Sequence, residues 1–261
     1  MLAKLDHSII KLRQMKPLVL CLTNHVTMDF MANCLLSCGA APIMTQDVAE
    51  LDELVQISHV VTINIGTLDA AFIERATMAL QLAKTYNKSV VFDPVGAGAS
   101  SIRTASSRTL MKGAAIIRGN ASEIMALVEN THKSLGVESI HTVSDAADSA
   151  RILARNYHCS VVVSGARDFI TDGIEDAYLA YGSPLMPLVT GMGCALTAII
   201  AAFKAVIPNP YEAAHLASAY FSLCGSLAGQ KTDAPGSFRT LFIDELYKAD
   251  FIAMGGVNHA P

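Results

Sequence analysis

The sequence predicts an α/β fold in which a mostly parallel central sheet is covered by helices on both faces. Short apolar runs rich in β-branched residues alternate along the chain with longer segments that have helical spacing. The short runs are continuously apolar, which is typical of strands covered on both faces. Hydrophobic residues make up 52% of the 261 residues and charged residues only 16%. This composition can fill a core on each side of such a sheet.

Six strands and the helices between them follow from this pattern. The predicted strands are Leu18–Leu22, Pro42–Met44, Val60–Ile65, Ser89–Phe92, Ala115–Ile117 and Ser160–Val163. The predicted helices are Thr27–Ser37, Val48–Ile57, Asp69–Tyr86 and Asp145–Tyr157, with another opening after Arg118-Gly119-Asn120. Because strands and helices alternate, the strands are expected to run parallel.

The pattern changes towards the end of the chain. Asp168–Thr171 and Ala177–Tyr181 flank Asp172-Gly173, a pair that suits a tight turn with positive φ, so a hairpin is predicted there. Three helices are then predicted, at Ala195–Val206, Tyr211–Gln230 and Ile243–Ala249. No linker, low-complexity stretch or repeat interrupts the sequence, so residues 1–261 are expected to form one domain.

Residues 177–203 contain no Asp, Glu, Lys or Arg and resemble a membrane span in hydropathy. They are interrupted, however, by Pro184, Pro187, Gly191 and Gly193. A spanning helix needs about 20 continuous helical residues. The segment is therefore predicted to form a strand, a loop and a buried helix, and no membrane association is expected.

Charge and cysteine content narrow the function classes. The net charge is −4, whereas a nucleic-acid binder usually carries a basic excess, so no nucleic-acid partner is expected. The six cysteines form no Cys-x-x-Cys pair, and most lie in apolar stretches, as reduced buried thiols do. The first residues lack the apolar core of a signal peptide, so a cytoplasmic location is expected.

Ligands of open α/β sheets bind beyond the carboxyl ends of the strands, so the residues after each strand are the candidates for a site. They are Thr23-Asn24, Met44, Gly66, Asp93-Pro94-Val95-Gly96-Ala97-Gly98, Arg118-Gly119-Asn120 and Ser164-Gly165. Asn24 could orient a heteroatom. Met44 could line an apolar pocket or simply be part of the core. Ser164-Gly165 could contact a ligand or simply form a turn.

The strongest motif is Gly191-Met192-Gly193-Cys194, which precedes a long apolar segment. The free N–H groups and the dipole of a helix N-terminus form an anion site, and glycines let a phosphate approach closely. In the first turn the dipole would favour the thiolate of Cys194. The alternative is a glycine-rich cap of a core helix, with Cys194 as a small apolar residue.

Two further motifs combine charge with strand ends. Asp93, in Asp-Pro-Val-Gly-Ala-Gly, could hold Mg²⁺ or orient a hydroxyl, although an Asp cap in a turn would look the same. Arg118 could hold phosphate oxygens, and Glu123 could reach a metal-bound water. Asn120 and Glu123 also have the spacing of a capping box, an equally simple interpretation.

Several common motifs are absent from the sequence. It has no Gly-x4-Gly-Lys-Ser/Thr and no Gly-x-Gly-x-x-Gly after the first strand, which disfavours a P-loop nucleotidase and a Rossmann dinucleotide site. It also has no His-Glu-x-x-His and no Gly-x-Ser-x-Gly, and its eight histidines have no metal-ligand spacing.

Taken together, the motifs resemble one family. Thr-Asn-x-Val, Asp-Pro-Val-Gly-Ala-Gly, Arg-Gly-Asn-x-x-Glu and Gly-x-Gly-Cys occur in the order found in hydroxyethylthiazole kinases, and Ala234-Pro235-Gly236-Ser237-Phe238 is similar to that family's Gly-Pro-Gly-Ser-Phe. The resemblance runs from about residue 15 to residue 247. It implies a ribokinase-like three-layer sandwich that phosphorylates the hydroxyl of 4-methyl-5-(2-hydroxyethyl)thiazole with ATP and Mg²⁺ in thiamine biosynthesis or salvage.

The resemblance also assigns residues. The thiazole pocket would be lined by Asn24, Val26, Met44, Gly66 and Gly191. ATP would be bound by Arg118, Asn120, Ser164 and Gly193, and Mg²⁺ by Asp93 and Glu123. Cys194 stands where ribokinase relatives usually have an Asp base, so Cys194 and Asp93 would be catalytic. The family implies a homotrimer with pockets near subunit interfaces.

Two residues depart from the family pattern, and three other functions stay open. Met192 replaces a common Thr, with little effect expected because its backbone N–H would be used, and Ala234 replaces a Gly. A kinase of another alcohol, such as a pyrimidine or a sugar, would be expected to have Asp at position 194. An ATP-dependent NAD(P)H-hydrate dehydratase shares the fold but needs no hydroxyl acceptor. A non-catalytic nucleotide-binding module would bind ADP without turnover.

Overall fold

A computed structural model describes residues 1–128 and 142–257. Within these residues the chain forms one eight-stranded sheet with the order β2-β1-β3-β4-β5-β6-β7-β8. The strands are β1 Leu18–Leu22, β2 Ala41–Ile43, β3 Val60–Asn64, β4 Ser89–Asp93, β5 Ile116–Asn120, β6 Ser160–Ser164, β7 Asp168–Thr171 and β8 Asp176–Leu179. Strands β1 to β6 pair in parallel, and β6, β7 and β8 pair antiparallel. The mostly parallel sheet and the terminal hairpin are confirmed.

Helices connect the strands and follow the sheet. They are α1 Leu2–Met15, α2 Met28–Cys38, α3 Leu51–Ile57, α4 Ala70–Thr85, α5 Ser101–Leu110, α6 Ala121–Val128, α7 Val143–Tyr157, α8 Met192–Val206, α9 Pro210–Gly229, α10 Pro235–Lys248 and α11 Phe251–Gly255. Two 3₁₀ turns lie at Val48–Glu50 and Met186–Leu188.

The sheet is the middle of three layers, as predicted. Val19, Cys21 and Val60 point to a core built with α1, α2 and α8 to α11. Their neighbours Leu20 and Val61 point to the opposite core, which α3 to α7 cover. This alternation follows from the two-residue period of a strand, and it buries apolar side chains on both faces of the sheet.

Helix α8 crosses the middle of the sheet and begins at the candidate glycine motif. Gly191 is its N-cap with φ 94°, in the left-handed region where glycine is favoured. Twelve of the 15 residues of α8 are buried, and the helix packs against β1, β3 and β4. The segment 177–203 thus contains a strand, a loop and a buried helix. In the described ranges, no helix is long and apolar enough to cross a membrane.

The strand ends differ from the sequence prediction in a way that matters for the site. Strand β5 was predicted to end at Ile117, but it runs to Asn120 because Arg118, Gly119 and Asn120 pair with β6. Asn64, Asp93 and Ser164 likewise lie in the last paired position of their strands. Backbone pairing therefore fixes these polar residues more firmly than a loop would.

Several helices were missed or misplaced. Helix α1 was not predicted, although its buried residues have helical spacing, and α5 was not predicted because Ser and Thr dominate its sequence. Helix α10 begins at Pro235 instead of the predicted Ile243, since proline suits the first helical position. The predicted helix Val48–Ile57 starts as a 3₁₀ turn and becomes α-helical at Leu51.

Candidate active site

The polar strand-end residues meet because their strands are parallel neighbours. Asn64 of β3 pairs with Asp93 of β4, and Asn120 of β5 pairs with Ser164 of β6. Asn24 follows β1, the neighbour of β3. The N-terminus of α8 lies over the same edge of the sheet, since Thr197 in its second turn donates to Asp93 Oδ2 at 2.8 Å.

A buried hydrogen-bond chain joins Cys194 to Asp93. The Asn24 Nδ2 group donates to Cys194 Sγ at 3.3 Å and to Asn64 Oδ1 at 2.9 Å. Asn64 Nδ2 donates in turn to Asp93 Oδ2 at 2.8 Å. All four residues are buried. The two residues that the resemblance marks as catalytic therefore belong to one connected network.

Cys194 does not have the thiolate character that its helix position suggested. Burial is the largest influence and raises the pKa of the Cys194 thiol, and the nearby Asp93 charge raises it further. Arg118 and hydrogen bonds from Thr27 and Asn64 act in the opposite direction without reversing the shift. The helix dipole is thus outweighed by desolvation, and the resting form at neutral pH is the thiol.

Asp93 is fully buried yet has one unused oxygen. Burial raises the pKa of its carboxyl, opposed by Arg118, whose Nη1 lies 3.6 Å from Asp93 Oδ2, and by the hydrogen bonds to that oxygen. Asp93 Oδ1 has no hydrogen-bond partner among the described residues. An unpaired buried carboxylate oxygen is costly, so Oδ1 is suited to a ligand such as a cation, a water or a hydroxyl.

Arg118 lies between the sheet edge and the start of α8. Its Nη2 donates to Ser164 Oγ, while its Nε has no hydrogen-bond partner among the described residues. A Cβ on Gly193 would lie 2.7 Å from Nη2 and 2.9 Å from Cζ of this guanidinium. Glycine at position 193 is therefore what lets the arginine lie flat against the first turn of the helix.

A cavity of about 440 Å³ opens beside Arg118. Its lining includes the polar residues Arg118, Ser164 and Asp168 and the apolar residues Met186 and Phe221. A pocket that is apolar with a few convergent polar groups is the usual form of a small-molecule site. Gly193, in the first turn of α8, also lines this cavity.

Glu123 is both a helix cap and part of the site. Its Oε2 accepts from the Asn120 N–H at 2.8 Å while Asn120 Oδ1 accepts from the Glu123 N–H at 2.9 Å, which confirms the capping box. Its Oε1 accepts from the Gly96 N–H at 2.8 Å. Burial and the negative charge of Asp93 raise the pKa of Glu123. The capping box is therefore observed, and the bond to Gly96 links Glu123 to the loop after β4.

Two acidic residues are too few for an all-protein metal cage. No group of three or more His, Cys, Asp or Glu residues able to hold a metal occurs in the described part of the chain. Mg²⁺, however, is commonly held by one or two carboxylates together with substrate phosphates. Asp93, with its unused Oδ1, and Glu123, whose oxygens are engaged by single backbone N–H groups, fit that mode.

The residues assigned to the thiazole pocket are not all brought together. Gly66 lies against Asn24, where a Cβ would be 2.8 Å from Asn24 Cβ, and its N–H donates to Asn64 Oδ1 at 3.0 Å. Gly191 lies close to Thr27. Met44 follows β2 and packs partly buried against the core. Val26 is 69% exposed in a turn, so a single chain gives it no pocket.

Sequence reasoning missed four residues of this region. Asn64 was placed inside an apolar strand, although a polar residue there was itself a signal. Thr197 looked like part of a core helix, and Asp168 like part of a hairpin strand. Arg103 was overlooked because the helix that carries it was not predicted. Only the folded chain shows that each of them contacts the site or its loops.

Asp168 is a buried carboxylate in the wall of the cavity. Its Oδ1 accepts from the Gly165 N–H at 3.0 Å and its Oδ2 from Ser222 Oγ at 3.2 Å. Burial raises the pKa of Asp168 to about 6, although these two hydrogen bonds and the charge of Arg118 favour the ionised form. Asp168 thereby fixes the turn after Ser164.

Comparison with known proteins identifies the family of the chain. The family model of the hydroxyethylthiazole kinase family matches residues 9–251. The hydroxyethylthiazole kinase of Chlamydia abortus is 48% identical over 97% of this chain and 98% of its own length. A solved hydroxyethylthiazole kinase structure from Pyrococcus horikoshii aligns with a TM-score of 0.89 and 31% identity, covering 98% of this chain and 97% of the other.

A more distant solved structure bears on the fold alone. A ribokinase-like superfamily protein from Enterococcus faecalis aligns with a TM-score of 0.59 at 17% identity, covering 88% of this chain and 86% of the other. The fold is ribokinase-like, and the family model and the curated relatives define a kinase that acts on an alcohol. Within that class, the chain belongs to the hydroxyethylthiazole kinase family.

Proposed function

We propose that this chain transfers the terminal phosphoryl group of ATP to the hydroxyl of 4-methyl-5-(2-hydroxyethyl)thiazole, with Mg²⁺, in thiamine biosynthesis or salvage. Family membership and the names of the relatives support this substrate. The observation that carries the mechanism is the buried chain from Cys194 through Asn24 and Asn64 to Asp93. It connects an alcohol-orienting group to a carboxylate beside an arginine.

The acceptor hydroxyl is proposed to lie between Cys194 and Asp93. Because burial raises the pKa of Cys194, its Sγ orients the hydroxyl by hydrogen bonding instead of removing the proton beforehand. Phosphoryl transfer has a loose transition state in most analyses, with little bond formation to the attacking oxygen. A strong base is therefore not required early, and the proton can pass to Asp93 Oδ1 as the new bond forms if this carboxylate holds Mg²⁺ through water instead of directly.

The phosphates are proposed to bind at the start of α8. The first N–H groups of this helix have no intrahelical partner and the helix dipole favours an anion there. Gly193 leaves the approach open, and Arg118 with its unpaired Nε offers a planar set of donors to phosphate oxygens. Ser164 and Asn120, paired at the ends of β6 and β5, complete the proposed ATP contacts.

Asp93 and Glu123 are the proposed ligands of Mg²⁺, directly or through water. When bound, the cation neutralises charge on the transferring phosphates. Both carboxylates are buried at the phosphate end of the site, and burial raises the pKa of each. A nearby cation would favour their ionised forms. Binding of Mg²⁺ would therefore offset the effect of burial on the two carboxyl pKa values.

The metal assignment is tested with Glu123→Gln. We expect the Mg²⁺ concentration that gives half-maximal rate to rise, because one carboxylate charge is lost. Glu50→Gln, which changes another carboxylate that accepts a side-chain hydrogen bond, is the control and should leave the Mg²⁺ dependence at its wild-type value. Unchanged Mg²⁺ dependence in Glu123→Gln would remove that residue from the proposed ligands.

The thiazole ring is proposed to be bound by Asn24, Val26, Met44, Gly66 and Gly191. Val26 is exposed in the single chain, which supports a pocket completed by a second subunit, and we propose a homotrimer. We further propose that residues 1–261 act as one kinase domain in the cytoplasm. The six cysteines are free and buried, which suits a reducing compartment.

The deciding experiment is a coupled ADP-release assay with Mg²⁺-ATP and four alcohols: hydroxyethylthiazole, hydroxymethylpyrimidine, pyridoxal and ribose. Turnover with the thiazole alone, with phosphorylated thiazole as the product, is the expected result. Turnover with another alcohol instead would overturn the pocket assignment at Asn24 and Met44. If no alcohol is phosphorylated, the kinase proposal fails in favour of a hydrate dehydratase or a nucleotide-binding module.

A further inference from the structure

Arg103 holds together the two loops that carry opposite halves of the proposed site. It lies in the first turn of α5, where its backbone N–H is capped by Ser100 Oγ. Its Nη1 donates to the carbonyl oxygens of Ile65 at 3.0 Å and Val95 at 2.8 Å. Its Nη2 donates to the carbonyl oxygen of Gly66 at 2.9 Å. One guanidinium thus bridges the loop after β3 and the loop after β4.

The partners of the Arg103 guanidinium are backbone carbonyls. Its guanidinium forms no ion pair with a carboxylate within the described ranges, and its hydrogen bonds go to three backbone carbonyls. A planar fork of donors can satisfy several carbonyls at fixed angles, whereas a lysine ammonium is a point charge. Hydrogen bonds with an ionised donor are roughly twice as strong as neutral ones. The guanidinium therefore fixes the positions of the loop backbones and does not neutralise a carboxylate.

The first branch from Arg103 leads to the acceptor side. Gly66, whose carbonyl it binds, is in contact with Asn24, and a Cβ at Gly66 would lie 2.9 Å from Asn24 Nδ2. That same Nδ2 group donates to Cys194 Sγ at 3.3 Å. Movement of the Gly66 backbone would therefore move the amide that orients Cys194.

The second branch leads to the phosphate side. Val95, whose carbonyl Arg103 binds, precedes Gly96, and Gly96 has φ 75° with its Cα facing the arginine side chain, since a Cβ there would lie 3.0 Å from Arg103 Cδ. The Gly96 N–H donates to Glu123 Oε1 at 2.8 Å. The arginine therefore also determines where Glu123 finds its backbone donor.

We infer that Arg103 is a positioning residue that sets the distance between the bound alcohol and the phosphoryl group by clamping the carbonyls of Ile65, Gly66 and Val95. The inference rests on the proposed function for what the two loops bind. Loss of the guanidinium is expected to loosen both loops together. Arg118 and Ser164 should keep their positions, because no described contact links them to Arg103.

The kinetic test compares Arg103→Met with Arg13→Met. Arg13 is a matched control because its guanidinium also donates to backbone carbonyls, those of Leu246 and Tyr247, and also packs beside a glycine with positive φ, Gly39. Gly39 lies before β2, on the opposite edge of the sheet from the site.

For Arg103→Met we expect kcat to fall and KM for the alcohol to rise, together about tenfold to a hundredfold in kcat/KM, the scale of a misplaced reactant. KM for Mg-ATP should rise less than KM for the alcohol, because the described contacts of Arg103 reach the phosphate side through Val95, Gly96 and Glu123 but do not reach Arg118. Arg13→Met should lose stability only. Equal kinetic effects of the two variants, or an equal rise of both KM values in Arg103→Met, would overturn the inference.

Arg103→Lys separates fork geometry from charge and guards against a variant that does not fold. It keeps the positive charge but cannot reach three carbonyls at once, so its values should fall between those of wild type and Arg103→Met. Rates are divided by the folded fraction measured by circular dichroism. Wild-type kinetics in Arg103→Lys would show that charge suffices and would overturn the clamp.

Amide hydrogen exchange supplies a readout that needs no substrate. In Arg103→Met the amides of Gly66 and Gly96 should both exchange faster than in wild type, and in Arg13→Met they should not. If the wild-type assay finds no phosphorylated alcohol, the proposed function fails while this exchange experiment still decides the clamp. Unchanged exchange at both glycines would overturn it.

Discussion

At the scale of single residues, the site is governed by what burial does to ionisable groups. Cys194, Asp93 and Glu123 all have pKa values raised mainly by desolvation. A sequence shows that a Cys follows a helix start but not how deeply it is buried. The dipole argument therefore predicted a thiolate where the fold produces a thiol. The motifs single out these three residues in the sequence, whereas the direction of their pKa shifts depends on the packed structure.

Cys194→Ala tests the role of the thiol. We expect kcat to fall about tenfold to a hundredfold, at the lower end of what positioned proton-handling groups contribute, because the alcohol loses the group that orients it. KM for Mg-ATP should not change. Cys159→Ala, which changes a buried thiol outside the site, is the control in steady-state kinetics. Full kcat in Cys194→Ala would exclude Cys194 from catalysis.

Gly193→Ala tests the packing of Arg118 on the helix start. The added Cβ would lie within 2.7 Å of Arg118 Nη2, so the guanidinium must move away from Ser164. KM for Mg-ATP should rise about tenfold, which corresponds to one lost charge-assisted contact of roughly 1.4 kcal/mol.

The control for this helix substitution is Gly256→Ala, where a Cβ would meet only ordinary contact at 3.5 Å. Its KM should match wild type. A wild-type KM for Mg-ATP in Gly193→Ala would mean that the guanidinium position is irrelevant to ATP binding.

At the scale of elements, parallel pairing decides where the functional residues meet. The strand-end rule selected Asn24, Asp93 and Arg118 from the sequence alone. It misjudged where β5 ends, because Arg118-Gly119-Asn120 is no apolar run, and pairing with β6 extends the strand through it. Helix α5, made mostly of Ser, Thr and Arg, gave no apolar periodicity, so Arg103 could not be found. Strand β5 is extended by its pairing with β6, and α5 begins at its Ser100 cap. Neither feature is visible in the local apolar pattern of the sequence.

Asp168, which fixes the turn between β6 and β7, makes the free energy of unfolding depend on pH. Burial raises the pKa of this carboxyl to about 6 in the folded chain, from its usual value of 3.8. The folded state thus binds the proton more tightly, and wild type loses stability as the pH rises from about 4 to about 6. Asp168→Asn does not titrate and should gain stability relative to wild type over that range, by on the order of 2 kcal/mol.

Urea unfolding of wild type and Asp168→Asn at about pH 4 and about pH 8 measures this difference. The stability of Asp168→Asn relative to wild type should be higher at the upper pH. Asp172→Asn, a change in the neighbouring turn, controls for general effects of removing a negative charge. If the unfolding free energies of Asp168→Asn and wild type differ by the same amount at both pH values, the raised pKa of Asp168 is contradicted.

At the scale of the whole molecule, the three-layer arrangement was predictable because both faces of each strand are apolar and the helices alternate with the strands. Which exposed side chains belong to a subunit interface was not predictable, since an interface between identical chains leaves no local pattern. Val26 illustrates this, being assigned to a pocket by resemblance but exposed in the single chain.

The proposed trimer predicts a native mass three times that of the 27.7 kDa chain. Val26→Asp should weaken association and raise KM for the alcohol, because a charge is placed where a second subunit would cover an apolar side chain. Ile174→Asp, at a still more exposed position in the β7–β8 turn, should leave both unchanged. Sedimentation equilibrium over a range of concentrations measures the mass, and a monomer at all concentrations would refute the trimer.

The hydrogen-bond chain from Asn24 to Asp93 also bears on how such an enzyme can change its substrate. The Asn24 amide, which is proposed to face the alcohol, donates to Asn64, and Asn64 donates to the Asp93 carboxylate, which is proposed to act at the phosphate end. A substitution that reshapes the alcohol pocket at Asn24 therefore leaves Asn64 short of a donor and shifts Asp93 as well. New alcohol specificity is more accessible through Met44 or Val26, which stand outside this chain, and engineered libraries should vary those positions first.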